Sequence, residues 1–137
     1  MQIDTTNRRI LAILERDARR SAAAIGREIG LSRQAVQDRL TWLQESGILR
    51  GARAEIAPEA GLLRAVLFVR IAQRPCDDAL SWLAGLEGVT RVLSLAGDLD
   101  ALVLACVPDT EALSALNDTV AASPLIASAT SQLVLRG

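Results

Sequence analysis

Apolar residues along this 137-residue chain keep two different periods, and the change between them near Gly51 restricts the fold more than any other feature. Before Gly51 they recur three and four residues apart, the spacing of helix faces; after it they run in short aliphatic and β-branched blocks typical of buried strands. A chain that switches period once in this way must build a helical part and then a sheet-bearing part.

Within the first part, cap signals divide the apolar stripe into three short helices. Asp4 opens the first, its carboxylate placed to accept from free N–H groups of the opening turn, and Ile10, Leu11 and Leu14 supply the buried stripe. Residues 18–20 turn the chain. Ser21 caps a second helix whose Ile25 and Ile29 face inward, and Gly30 ends it, because glycine accepts the left-handed conformation past a helix C-terminus. Ser32 then caps a third helix, in which Val36, Leu40 and Leu43 share one face until Ser46 and Gly47. Two helices joined by a short glycine-containing turn are a helix-turn-helix, and the third helix is its recognition element. This domain is expected to span residues 1–51.

Residues 52–62, with Pro58 and Gly61, read as an extended linker strand, followed by a domain over 63–137. Its expected elements are a strand at 63–71, a helix from Asp77 to Leu86, a strand from Val89 to Ala96 and a turn from Gly97 to Asp100. A strand from Ala101 to Val107, a helix from Thr110 to Ala121 and a strand from Ala127 to Leu135 complete it. That βαββαβ order describes a ferredoxin-like antiparallel sheet with both helices on one face, so the fold class is α+β. The other face has no helix to cover it, although the strands are apolar at nearly every position. A second copy of the same sheet is the simplest cover, so a homodimer is expected, with tetramers or octamers as further assemblies.

Composition narrows the class. Half of the residues are hydrophobic and 23% are charged, which is enough for packed cores. No apolar run reaches the roughly 18–20 residues needed to cross a bilayer, and the N-terminus lacks the pattern of a secretory signal, so a soluble cytoplasmic protein with no membrane partner is expected. Cys76 and Cys106 have no metal-ligand spacing and the chain has no histidine, so both read as plain thiols and neither a metal nor a cofactor is expected. The net charge of −1 hides an asymmetry. Residues 1–51 carry nine arginines against six acids, whereas residues 52–137 carry six against ten. The excess of cation sits on the half that carries the helix-turn-helix, as a nucleic-acid partner would require.

The helix-turn-helix followed by βαββαβ resembles the leucine- and asparagine-responsive regulators, the Lrp/AsnC family, over essentially the whole chain. The resemblance is carried in the first half by Ile3-Asp4 with Asn7, Ile10-Leu11, Arg19 and Ser21, Ile25, Gly30-Leu31-Ser32, Val36, Arg39-Leu40, Leu43, and Gly47-Ile48-Leu49 with Gly51. In the second half it is carried by Gly97-Asp98-Leu99-Asp100, similar to the family's Gly-x-x-Asp turn, and by the final strand from Ser131 to Leu135. It implies a transcription regulator that binds double-stranded DNA and is modulated by a small molecule such as an amino acid. The sequence departs from the family at Asn7, where an aspartate is usual, at Ala52, where an aromatic usually stands, and at Ala129 and Ser131, where threonines are frequent. The last two lie where the family holds its effector, between sensing domains.

A recognition helix must anchor one side and present hydrogen-bonding groups from the other to a groove about 12 Å wide. With Val36 at zero and roughly 100° per residue, Gln34, Gln37, Asp38 and Thr41 fall opposite the apolar stripe, between about 100° and 200°. These are the candidate base readers, since Gln pairs bidentately with adenine and an acid accepts from cytosine. Ser32 and Arg33 begin the same helix, and Arg33 is placed to reach a flanking phosphate or a guanine edge. Arg39 lies toward the flank of the stripe, where it either braces the helix through an acid such as Asp17 or Glu28 or contacts DNA. Arg8, Arg19 and Arg27 are candidate backbone contacts.

In the second half, Gly97, Asp98, Leu99 and Asp100 combine a flexible turn with two carboxylates, which suits the ammonium and carboxylate of an amino acid but is also ordinary hairpin chemistry. With Ser131, these are the residues the resemblance implies for an effector. Trp42 and Trp82 read as packing residues, Trp42 off the core stripe and so at a seam with a partner such as the linker. An enzyme is not expected. The siroheme decarboxylases look like this family in fold, but their reaction needs proton donors, usually histidines, and this chain has none. The rival reading is a sensing or assembly protein whose helix-turn-helix no longer binds DNA; it would expose apolar groups on the third helix, whereas here that face is polar.

Overall fold

A computed structural model describes residues 1–136, which fall into two compact units, Met1–Glu55 and residues 56 onward. In the first unit, α1 (Thr5–Arg16), α2 (Ala22–Ile29) and α3 (Arg33–Glu45) form a three-helix cluster. Each begins on the residue the cap chemistry requires. The Asp4 carboxylate accepts from Asn7 N–H, Ser21 Oγ from Ala24 N–H and Ser32 Oγ from Ala35 N–H. Gly30 adopts a left-handed φ of 78°, and both its N–H and that of Leu31 donate to Gly26 C=O.

The core of this unit is Ile10, Ile13, Ile25, Val36 and Leu43, all nearly inaccessible. The stripe of α1 therefore differs from the expected one. Ile13 is buried and Leu11 and Leu14 flank it half-exposed, because α1 turns its i, i+3 row of Asn7, Ile10 and Ile13 inward. Ile29 and Leu40 likewise pack from the rim, not the centre. Trp42, off the central stripe, is partly buried and packs on the three-helix core.

The second unit is a four-stranded antiparallel sheet in the order β2-β3-β1-β4, built from β1 (Leu63–Ile71), β2 (Val89–Ser94), β3 (Ala101–Val107) and β4 (Ile126–Leu133). Its crossover helices are α4 (Asp77–Ala84) and α5 (Thr110–Ala122). The expected order of elements stands; β1 and β3 keep their expected bounds, α5 runs on to Ala122, β4 runs from Ile126 only to Leu133, and α4 and β2 end early. The α4 helix stops at Ala84 because Gly85 and Leu86 close a tight turn, and β2 stops at Ser94, where its ladder with β3 ends at Ala101. A 3-10 turn, Pro58–Ala60, interrupts the stretch expected to be an extended linker.

Alternation decides which face is core. Ala65, Leu67 and Val69 of β1 and Ala101, Val103 and Ala105 of β3 point to one side, where Leu83 of α4 and Leu116 and Val120 of α5 cover them. Intervening Val66, Phe68, Leu102, Leu104 and Cys106 lie on the opposite face and remain only partly buried. Strand β4 breaks the pattern: past Ile126 it is exposed at almost every position, the composition of an edge. None of the helices among the described residues is long and apolar enough to cross a membrane.

Candidate nucleic-acid interface and effector site

The outward side of α3 is laid out by the same geometry that buries its inward side. Val36 and Leu43, two turns apart, are fully buried, and this leaves Gln34, Gln37, Asp38 and Thr41 exposed along the far side, with Ser32 and Arg33 exposed at the N-terminal end. All six residues are exposed, four on one side of α3 and two at its N-terminal end. Gln34 and Asp38, one turn apart, already meet: the Gln34 amide donates to Asp38 Oδ1 at 2.8 Å. Such a pair can offer acceptor and donor groups together to a base edge, at the cost of opening one solvent-exposed hydrogen bond.

Arg39 is placed differently. Its Nη1 donates to Asp4 Oδ2 at 2.7 Å and to Asn7 Oδ1 at 2.9 Å, so its partners are at the start of α1 and not Asp17 or Glu28. Glu28 is taken by Arg20 at 2.6 Å, and Asp17 accepts from Arg19 N–H in its own turn. The bond from Asn7 N–H, and after it the Arg39 guanidinium, hold the Asp4 carboxyl below the ordinary carboxylate range. Asn7 itself is fully buried. A polar residue at an i, i+3 position of an apolar stripe is the signal that marks it in the sequence, since a buried amide must find partners. Arg8, Arg19 and Arg27 are exposed.

The turn between β2 and β3 holds its two carboxylates in opposite settings. Asp98 is exposed, whereas Asp100 is 8% exposed and engaged on every side. Its Oδ2 accepts from Ile71 N–H at 2.7 Å and its Oδ1 from Arg74 Nη2 at 2.5 Å. Its own N–H donates to Val69 C=O and its C=O accepts from Leu95 N–H. The Ile71 N–H foremost, then Arg74, hold this carboxyl below the ordinary range although burial pushes the other way. Arg74, on the β1–α4 connection, also donates to Cys76 Sγ at 2.8 Å. Asp100 therefore ties the β2–β3 turn to the end of β1. No sequence signal marked Arg74, a lone loop cation 26 residues from its partner.

Ser131 stands elsewhere. It pairs with Leu67 on the far side of β1 from β3, and Ala129 pairs with Val69. Strand spacings of about 4.8 Å and rises of about 3.4 Å put Ser131 roughly 14 Å from Asp100 within one chain. The turn residues are thus brought together with one another and not with Ser131. No group of His, Cys, Asp or Glu among the described residues is arranged to hold a metal ion.

Comparison with known proteins covers both units. Residues 3–44 match the family profile of the AsnC-type helix-turn-helix domain, and residues 64–137 match that of the Lrp/AsnC ligand binding domain. Among curated relatives, the HTH-type transcriptional regulator Ptr1 of Methanocaldococcus jannaschii is 34% identical over 113 residues, which are 81% of this chain and 76% of the relative. Among solved structures, the leucine response regulatory protein LrpA of Mycobacterium tuberculosis superposes with a TM-score of 0.78 at 29% identity, over 98% of this chain and 94% of that one. A Neisseria meningitidis transcriptional regulator in complex with L-Met superposes with a TM-score of 0.74 at 27% identity, over 98% and 91% of the two chains.

Proposed function

Since the chain belongs to the Lrp/AsnC family of transcriptional regulators, with a helix-turn-helix and a ligand-binding domain, we propose that it reads a specific operator by seating the exposed side of α3 in the major groove. The observation that carries this reading is the exposed polar side of α3, Gln34, Gln37, Asp38 and Thr41, opposite the buried Val36 and Leu43, with Ser32 and Arg33 exposed at its N-terminal end. Gln34 and Gln37 read adenine edges, Asp38 and Thr41 contact neighbouring bases, and Arg33 neutralises a flanking phosphate. A helix-turn-helix retained only for protein contacts would expose apolar groups there, and it does not.

The protein acts as a homodimer in the cytoplasm. Support comes from Val66, Phe68, Leu102, Leu104 and Cys106, a contiguous apolar face that the two helices leave uncovered. A dimer presents two recognition helices, so the operator is an imperfect palindrome with half-sites about one helical turn, or a multiple, apart. The effector is an amino acid or a close relative, as the L-Met complex of the meningococcal structure suggests. It rests on the Gly97-Asp98-Leu99-Asp100 turn, where Asp98 is the exposed carboxylate for an ammonium group and Asp100 holds the turn in shape. Ser131 joins this site from a neighbouring sensing domain.

A mobility-shift assay against the protein's own upstream DNA, run across a salt series and repeated with each amino acid, tests the reading. Arg33→Ala is expected to weaken binding and to flatten the salt dependence by about one unit, as loss of one phosphate contact requires. At least one amino acid is expected to change the shift. Wild-type protein that binds no duplex more tightly than a scrambled one contradicts the reading.

A further inference from the structure

Asn7 is the largest anomaly in the helical unit: an amide with no solvent exposure in a stripe otherwise made of isoleucine. All of its polar groups are used. Its N–H donates to Asp4 Oδ1 at 2.7 Å, its Nδ2 donates to Gln2 C=O at 2.7 Å and its Oδ1 accepts from Arg39 Nη1 at 2.9 Å. Arg39 completes a ring by donating to Asp4 Oδ2. The ring joins the start of α1 to the middle of α3 across more than thirty residues of sequence.

We propose that Asn7 and Arg39 are positioning residues for DNA recognition: with Asp4 they fix the rotation and advance of α3 on α1, and they set where the reading surface falls without touching DNA. The proposal rests on the operator-binding reading above. Two observations carry it. The first is angular. At about 100° per residue, with Val36 at zero, the reading residues centre near 150° and Arg39 stands near 300°, on the opposite flank. A guanidinium so placed and bonded twice at Nη1 is turned away from a duplex that the reading face occupies.

The second concerns what else holds α3. Its apolar contribution is Val36 and Leu43, with Leu40 and Trp42 at the rim, contacts that are non-directional and tolerate small rotations. Hydrogen bonds do not, because they weaken steeply off axis. Base readout depends on bidentate geometry, so a small rotation of α3 costs specificity before it costs phosphate contact. Asn7 also has a division of labour that the experiment can use. Its Oδ1 serves Arg39 and its Nδ2 serves Gln2, so Asn7→Asp keeps the first bond and loses the second, whereas Asn7→Leu loses both.

The test is fluorescence anisotropy of the full chain on its operator and on a scrambled duplex of equal length, across a salt series, well below each variant's melting temperature. Arg39→Met and Asn7→Leu are expected to lower operator affinity by about tenfold, while scrambled-duplex affinity and the salt slope stay at wild-type values. Asn7→Asp is expected to retain operator affinity to within about threefold of wild type, since an acceptor for Arg39 remains. Asp4→Asn, which keeps a good helix cap while removing the charge opposite Arg39, is expected to fall between and provides the folded variant if Arg39→Met does not fold. A slope lowered by one unit in Arg39→Met makes Arg39 a phosphate contact and overturns the proposal. So does an operator affinity unchanged in Asn7→Leu, or Asn7→Asp as weak as Asn7→Leu. Wild-type protein that does not prefer its operator overturns the DNA-binding reading first, and this inference with it.

Discussion

Asp100 and Asp98 stand two residues apart in one turn and do different things because one is buried and the other is not. The sequence alone supports a shared effector role for both, since spacing cannot tell which carboxylate the rest of the chain will claim. Ile71 N–H and Arg74 claim Asp100, and its lowered pKa fixes the sign of its contribution to stability. A depressed folded-state pKa stabilises the protein above the ordinary carboxylate range, and that stabilisation is lost as pH falls through the folded value. Asp100→Asn is therefore expected to melt at a lower temperature than wild type at neutral pH, with the difference closing as the solution is acidified. Thermal melts at a series of pH values check this; a constant difference at every pH would mean that the carboxylate's charge plays no part.

At the scale of elements, the helix starts were legible because each depends on a local rule: Asp4, Ser21 and Ser32 all cap the helices that follow them. Strand β3 was legible to the residue, being a continuous apolar block between a turn and a Pro-Asp. The linker's 3-10 turn and the exposed course of β4 were not, because neither has a periodic apolar signal. Nor was the partner of Arg39, since an ion pair between helices depends on how they cross. Gly26 adds a constraint invisible to propensity. A Cβ there would sit 2.5 Å from Leu31 C=O, the carbonyl that follows the tight turn into α3. Helix propensity favours alanine over glycine by about 1 kcal/mol, whereas forcing atoms into a packed site costs about 1–3 kcal/mol. Gly26→Ala is expected to destabilise the helical unit on balance and to lower its melting temperature by several degrees. A rise in melting temperature would mean that the α2–α3 turn yields at no cost.

For the molecule as a whole, the asymmetry of charge follows the proposed division of work between a unit that reads DNA and a unit that pairs copies. The cationic excess lies with the helices, and the acidic excess with the sheet unit, whose open face is apolar and so suited to a second copy. The proposed two-fold pairing makes the central claim measurable on DNA, because it requires α3 to enter the major groove twice, once per half-site. Dimethyl sulfate footprinting on the operator reports that groove directly, because the guanine N7 it methylates lies there. The account predicts two clusters of protected guanines on one face of the duplex, their centres about one helical turn or a multiple apart. Bound protein that leaves every guanine N7 open to methylation, or that protects one isolated half-site, would contradict it.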